Sequence, residues 1–196
     1  MNWPFTLTDE QAMWRVRHDD DHSAFAQIVA RWETPIQRLC ARMVGDIHRA
    51  EDLTQEAFAR VFAHRHKYEP AGRFSTWLWR IAINLCHDEI RRKNRRPESS
   101  IEQEEPDSDE TTTREFADTQ ASPDEAIVAL ERAEQVRRAL MKLPEHYRGV
   151  LVLRHYEGLK FNEIAQVLGI PEGTVKSRMS EGLSRLGELL PKSPQN

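Results

Sequence analysis

The chain has 196 residues, is 39% hydrophobic, and carries 28 Lys+Arg against 32 Asp+Glu for a formal net charge of -4. That length holds one medium domain or two small ones, and no apolar run approaches the ~18 residues that a membrane-spanning helix needs. The opening MNWPFTLTDEQ lacks the basic-then-apolar order of a secretion signal, and Cys40 and Cys86 stand far apart without CxxC spacing, so a cytoplasmic chain without a disulfide framework is expected.

The charge is unevenly spread. Residues 1–96 carry 16 Lys+Arg against 13 Asp+Glu, residues 97–123 carry 1 against 9, and residues 124–196 carry 11 against 10. Two mildly basic halves therefore flank an acidic tether. Glycine is sparse, and apolar residues recur at spacings of three and four, which predicts an all-α chain. The divisions are a tail and first helix over 1–20, a first helical domain over 21–96, a flexible acidic linker over 97–123, a second helical domain over 124–190, and a tail over 191–196.

Thr8 and Gln11 fit a capping box that opens a first helix ending near His18. The run HDDDH at 18–22 looks like a metal cluster, but five consecutive residues cannot converge on one ion, so capping and solvation are expected of it and no metal. Ser23 is placed to cap a second helix, with Phe25, Ile28, Val29 and Trp32 facing inward and Pro35 just after it. Ile36, Leu39, Cys40 and Met43 continue the pattern to Gly45, and both cysteines are expected in apolar packing. Asp46 caps a third helix over 47–64. Its outward residues Asp52, Gln55, Glu56 and Ala59 form an acidic and amide patch, which would repel DNA and so suits protein docking.

The loop KYEPAGR at 67–73 leads into FSTWLWRIAINLCHDEIRRKNRR, residues 74–96. Ser75 is expected as the cap of this helix, with Phe74 and Trp79 as a hydrophobic staple. Trp77, Leu78, Ile81 and Leu85 share one face, and Trp79, Ile83, Cys86 and Ile90 make a second apolar strip. Between them runs a polar line of Arg80, Asn84, His87, Arg91 and Asn94 at spacings of four, three, four and three. A helix buried on two sides with one line of donors is suited to hold a ligand along it. The cationic end, Arg91, Arg92, Lys93, Arg95 and Arg96, points to a phosphate backbone.

After the linker, Ile127, Leu130, Ala133, Val136, Leu140 and Leu143 mark a helix, and Pro144 starts another that ends at Gly158. NEIAQVLG, a turn IPEG and TVKSRMSEGLSRL then have helix-turn-helix proportions, roughly 161–168 and 171–190, with Gly169 as the C-cap between. On the last helix Val175, Met179, Gly182 and Leu186 face inward. Ser177, Ser180, Glu181 and Ser184 face outward, with Lys176, Arg178 and Arg185 on the flanks. Short polar groups between cations suit base reading with phosphate anchoring. No nucleophile elbow, P-loop or HExxH occurs, so the chain is not expected to be an enzyme, to hold a cofactor or to take a small-molecule substrate.

In this order, the motifs resemble a bacterial RNA polymerase sigma factor of the extracytoplasmic-function group. AEDLTQEAF is similar to the region-two helix that docks on the clamp of the polymerase largest subunit, which implies Asp52, Gln55, Glu56 and Ala59 as polymerase contacts. FSTWLWRIAINLCHDEIRR is similar to the helix that opens and reads the minus-ten element. The resemblance implies that the loop Lys67–Arg73 (Lys67, Tyr68 and Arg73) and Asn84 capture a flipped base, with Arg80, His87, Arg91, Arg92, Lys93 and Arg95 along the DNA. LPEHYRGVLVLRHYEGLKFNEIAQVLGIPEGTVKSRM is similar to region four, which reads the minus-thirty-five element and touches the polymerase flap. It implies Thr174, Lys176, Ser177, Arg178, Ser180, Glu181 and Ser184 as DNA contacts. An anti-sigma factor is a partner implied in the same way. Two departures stand out: Lys160 where the family commonly has a Ser or Thr cap, and Glu181 where it often has a cation. The alternative is a stand-alone helix-turn-helix regulator whose residues 1–96 serve as a sensor or dimerisation domain.

Overall fold

The computed structural model describes residues 7–69, 72–95 and 123–191, and all their regular structure is helical. The helices are α1 (Asp9–Asp19), α2 (His22–Val44), α3 (Ile47–Ala63), α4 (Phe74–Arg95), α5 (Pro123–Lys142), α6 (Glu145–His155), α7 (Phe161–Leu168) and α8 (Glu172–Leu189), with a single 3₁₀ turn at Arg65–Lys67. The expected acidic linker lies outside the described residues apart from Pro123, which opens α5, and Arg96 lies outside them too.

Local capping explains most boundaries. Thr8 and Gln11 form both halves of the capping box at the start of α1. Asp46 accepts from the Arg49 amide at 2.9 Å and opens α3. Two expected caps are corrected. α2 is capped by Asp21, which accepts from the Ala24 amide at 3.0 Å, and not by Ser23. A carboxylate at the N-terminal end of a helix also gains from the helix dipole, which a hydroxyl does not. Ser75 lies inside α4, which begins at Phe74. Nor does Pro35 end a helix: α2 runs through it for 23 residues. The apolar face before and after Pro35 (Ile28, then Ile36, Leu39, Cys40 and Met43) is fully buried, and that burial outweighs the one amide that proline cannot supply.

α1 to α4 form a bundle around α2, and α5 to α8 form a second unit. One apolar core runs through both, so that Met43 and Ile83 belong to the same buried cluster as Leu140, Leu143 and Val150. α2 packs on α5 and α6, and α4 packs on α6 and α7. Gly45, at φ 77°, ends α2, and a Cβ there would stand 2.7 Å from Met141 Sδ, so glycine serves both the left-handed backbone and the close seat of α5.

At the same junction Arg148 of α6 is buried without a carboxylate. Its Nε donates to the Leu140 carbonyl at 2.9 Å, Nη2 donates to Met141 at 2.7 Å and Leu143 at 2.8 Å, and Nη1 donates to the Met43 carbonyl. These carbonyls belong to the last turn of α5, to Leu143 just beyond it and to the last turn of α2, where oxygens lack intrahelical donors and the dipole favours a cation. Replacing Arg148 with Met strands those oxygens in the core. We expect a loss of about 3 kcal/mol in the free energy of urea unfolding, with the helical content kept in the absence of denaturant.

Candidate nucleic-acid and polymerase interface

α4 is gripped on two sides as its pattern implies. Leu78, Ala82, Ile83, Leu85 and Cys86 are buried, and Trp79 meets Trp32 of α2 edge-on at 5.5 Å between ring centroids. Cys40 and Cys86 are free and fully buried, one on each side of the α2/α4 seam. The neighbouring Cys40 thiol, with burial, holds the Cys86 thiol in its protonated form.

Glu89, to which the sequence pattern assigned no role, is 3% exposed. Arg92 binds its carboxylate with two bonds of 2.8 and 3.0 Å, and Arg49 of α3 adds one of 3.0 Å. These bonds, Arg92 first, bring the Glu89 pKa down to about 2 against the cost of burial. The signal available in the sequence was an acid one turn after Leu85 and three residues before Arg92, on the inner side of an otherwise apolar strip. A correction follows for Arg92: two of its nitrogens are engaged by Glu89, so its fork is not wholly available to a phosphate. Arg49 also reaches Asp52 at 3.0 Å and thus links the α3 patch to the root of α4.

Along the polar line, Asn84 is exposed and His87 is half-buried. His87 Nε2 is buried without a partner facing Gly149, and burial lowers the imidazole pKa. Arg80 donates to the Gln166 carbonyl of α7, and Arg91 stands 3.6 Å from Glu145 of α6. Lys93 lies 3.9 Å from Asp46, Arg95 donates to the Arg91 carbonyl, and Lys67 is exposed. In the preceding loop Arg73 bonds Glu163 of α7 at 2.7 Å. Tyr68 is withdrawn from the surface at 3% exposure, beside Trp77 and Phe74, and its hydroxyl donates to the Gly72 carbonyl. Tyr68 was expected to face a flipped base; in this form it shapes the loop, because its ring fills the gap between α4 and the 3₁₀ turn.

The α3 patch stands as expected, with Asp52, Gln55, Glu56 and Ala59 all exposed and Leu53, Ala57, Phe58 and Val61 turned inward. Arg60 pairs with Glu56 at 2.6 Å. On α8, Val175, Met179 and Gly182 are buried while Lys176, Ser177, Ser180, Glu181 and Ser184 are exposed. A Cβ on Gly182 would touch Tyr147 and Leu151 at 3.4 Å, so the glycine lets α8 lie close on α6 and turn its polar side out. Ser177 donates to the Thr174 carbonyl, Lys176 pairs with Glu172, and Thr174 and Arg178 are half-buried. Glu181 is held by Arg185 at 2.7 Å. Lys160 contributes no side-chain cap to α7; instead the Glu163 carboxylate accepts from the Lys160 amide at 2.8 Å. Among the described residues no His, Cys, Asp or Glu cluster is arranged to hold a metal, and no helix is long and apolar enough to cross a membrane.

Residues 28–96 match the family described as Sigma-70 region 2, and residues 133–186 match Sigma-70, region 4. The chain is 38% identical over 171 residues to the ECF RNA polymerase sigma factor SigW of Bacillus subtilis, covering 87% of this chain and 90% of that protein. The chain belongs to the ECF sigma factors. The ECF RNA polymerase sigma-E factor of Escherichia coli K12 is 32% identical over 180 residues, covering 88% of this chain and 89% of the relative. Two solved structures share the fold at 22% identity. CnrH, in complex with the cytosolic domain of CnrY, has a TM-score of 0.66 over 92% of this chain and 96% of its own. RpoE of Bartonella quintana, in complex with the anti-sigma factor NepR, has a TM-score of 0.61 over 84% and 95%.

In this sigma factor Glu89 joins the patch-bearing helix α3 to α4, and its ionisation sets a pH dependence. Because its pKa in the fold lies below the usual 4.5, its contribution is present above about pH 4.5 and is lost as the pH falls through that value towards 2. Glu89→Gln should cost about 1–3 kcal/mol at pH 7, and the difference from the parent chain should shrink on acidification in urea melts taken between pH 7 and 3.

Proposed function

We propose that this ECF sigma factor docks on core RNA polymerase through the exposed α3 patch, captures and holds the minus-ten element with the 67–73 loop and the polar line of α4, and reads the minus-thirty-five element with the outward side of α8. It does so as a non-catalytic subunit in the cytoplasm. The observation that carries this reading is the line Arg80, Asn84, His87, Arg91 on a helix buried on both flanks, in a unit whose exposed acidic patch, which DNA would avoid, lies on a separate helix, α3. Asp52, Glu56 and Gln55 offer acceptors and an amide to a cationic protein surface, whereas Lys93, Arg95 and Arg91 offer charge to phosphates. Anti-sigma control is inferred by analogy with RpoE, which is solved in complex with the anti-sigma factor NepR. A stand-alone regulator would leave both the α3 patch and the α4 line without a use.

Run-off transcription with core polymerase and a promoter library tests the whole reading, since only a promoter-reading subunit confers defined start sites. Asp52→Arg with Glu56→Arg should abolish co-purification with core polymerase while leaving the thermal melt of the free protein intact; wild-type recovery of the complex would refute the docking site. Asn84→Ala should leave that complex intact and reduce permanganate reactivity of the promoter, and unchanged reactivity would remove Asn84 from base capture. On α8, Glu181 must leave Arg185 before it can accept from a cytosine amino group, the best major-groove donor to a carboxylate. Glu181→Arg is then expected to shift one selected upstream position from cytosine towards guanine in a randomised library; recovery of the same element by both proteins would make Glu181 a bystander.

A further inference from the structure

The exposed side of α8 carries two acid–cation pairs of the same build. Glu172 pairs with Lys176 and Glu181 with Arg185, each four residues apart and each at 2.7 Å. Each cation also lies over an aromatic ring that another helix supplies. Lys176 Nζ is 6.0 Å from the centre of the Phe161 ring of α7, and Arg185 Cζ is 5.1 Å from that of Tyr147 of α6. The pairs differ in the setting of the acid. Glu172 stands in the first turn of α8, where the helix dipole favours a carboxylate whatever lies outside. Glu181 has no such support, because it stands mid-helix among the exposed Ser177, Ser180 and Ser184. The Tyr147 ring is itself confined. The His146 ring lies against it with centroids 4.1 Å apart, and a Cβ on Gly182 would be 3.4 Å from Tyr147 Cβ, so α8 runs close past the base of the ring.

With side chains 47% and 48% exposed, Arg185 and Glu181 are loosely held as a pair by themselves. A guanidinium on a flexible stem leaves such a pair readily for a phosphate, which takes two of its hydrogen bonds at once. A carboxylate in the major groove has the opposite difficulty: it accepts from a cytosine amino group, yet the phosphates on both sides repel it. We propose that Tyr147 is a positioning residue for base reading by α8. Its ring holds the Arg185 guanidinium against α6, so that Arg185 stays beside Glu181 as a fixed counter-charge when the carboxylate turns to a base, and does not move out to the DNA backbone. The inference rests on the reading of α8 as the helix that faces the upstream element, and it gives Arg185 a task other than anchoring a phosphate. A tyrosine face suits that task because its attraction for the guanidinium persists after Glu181 has turned away. Tyr147 reaches the reader through Arg185 alone and touches no base.

The experiment uses holoenzyme assembled from core polymerase and the full chain. Its substrates are promoter duplexes that carry the upstream element selected by the parent chain, with each upstream position changed in turn. Glu181→Gln identifies the position that the carboxylate reads, as the one where discrimination between bases falls. At that position Tyr147→Leu is expected to lower discrimination about tenfold. It should also steepen the slope of log affinity against log salt by about 0.9, because the released Arg185 gains one phosphate contact. Tyr147→Phe keeps the ring and should preserve both quantities. Arg185→Gln should lower discrimination equally without steepening the slope, and it carries the test from an exposed side chain should Tyr147→Leu melt in circular dichroism. In a Glu181→Gln chain, Tyr147→Leu should leave discrimination unchanged, since no carboxylate remains to be neutralised. Lost discrimination in Tyr147→Leu without the steeper slope shows a packing defect and overturns the proposal, as does an equal loss in Tyr147→Phe. Discrimination that falls with Glu181→Gln but survives both Tyr147→Leu and Arg185→Gln overturns the role of Tyr147 and leaves base reading by Glu181 standing. A parent chain that discriminates at no upstream position overturns the reading of α8 itself, and Tyr147 with it.

Discussion

A guanidinium buried among carbonyl oxygens organises this molecule. Among the described residues Arg148 has no carboxylate partner; its charge is met by carbonyl oxygens at the ends of α5 and α2. Burial lowers its pKa, yet the distance to neutrality is so great for arginine that it stays charged. A lysine has neither the fork nor the reach to satisfy several carbonyls at once. The seat of α6 on α2 and the path of the chain from α5 into α6 are fixed by that one side chain. The charged rim pairs surround it, but each is exposed enough on one side to be worth little by itself.

Electrostatics is used here in two different ways. Within α3 and α4 the ion pairs are structural: Glu89 is held by Arg49 and Arg92, and its low pKa reflects a carboxylate that the fold keeps ionised. Across the halves the pairs are provisional, since the same arginines suit phosphate. The net charge of -4 conceals this division, because the acidic residues between the halves mask two mildly basic units.

Much of the helical plan was legible in the sequence because it rests on period and caps. The α4 pattern placed both buried flanks and the polar line, and the α8 pattern placed Val175 and Met179 inside and Ser177, Ser180 and Ser184 outside. Errors came where two neighbours compete for one role. Asp21 and Ser23 can each cap α2, and the carboxylate prevails; Ser75 loses its cap role because Phe74 is already drawn into the core as a helical residue. Pro35 shows tertiary burial overriding a local breaker. Glu89, Arg148, the neighbouring thiols and the withdrawal of Tyr68 were illegible for a common reason: each is defined by partners on another helix, and no spacing along one helix encodes them. The packing of the second half on the first belongs to the same class, being made of one-residue contacts such as Arg73 with Glu163 that are 90 positions apart.

The thiol pair on the α2/α4 seam has a kinetic meaning. Cys40 and Cys86 have no exposed surface, whereas alkylating and disulfide reagents require a thiolate in contact with solvent. Reaction at either sulfur must therefore wait for the seam itself to separate. When closing is faster than capture, the observed rate is the intrinsic thiol rate multiplied by the fraction of molecules open there. The molecule thus carries, at the centre of its α1–α4 bundle, a native clock for the opening of the α2/α4 seam.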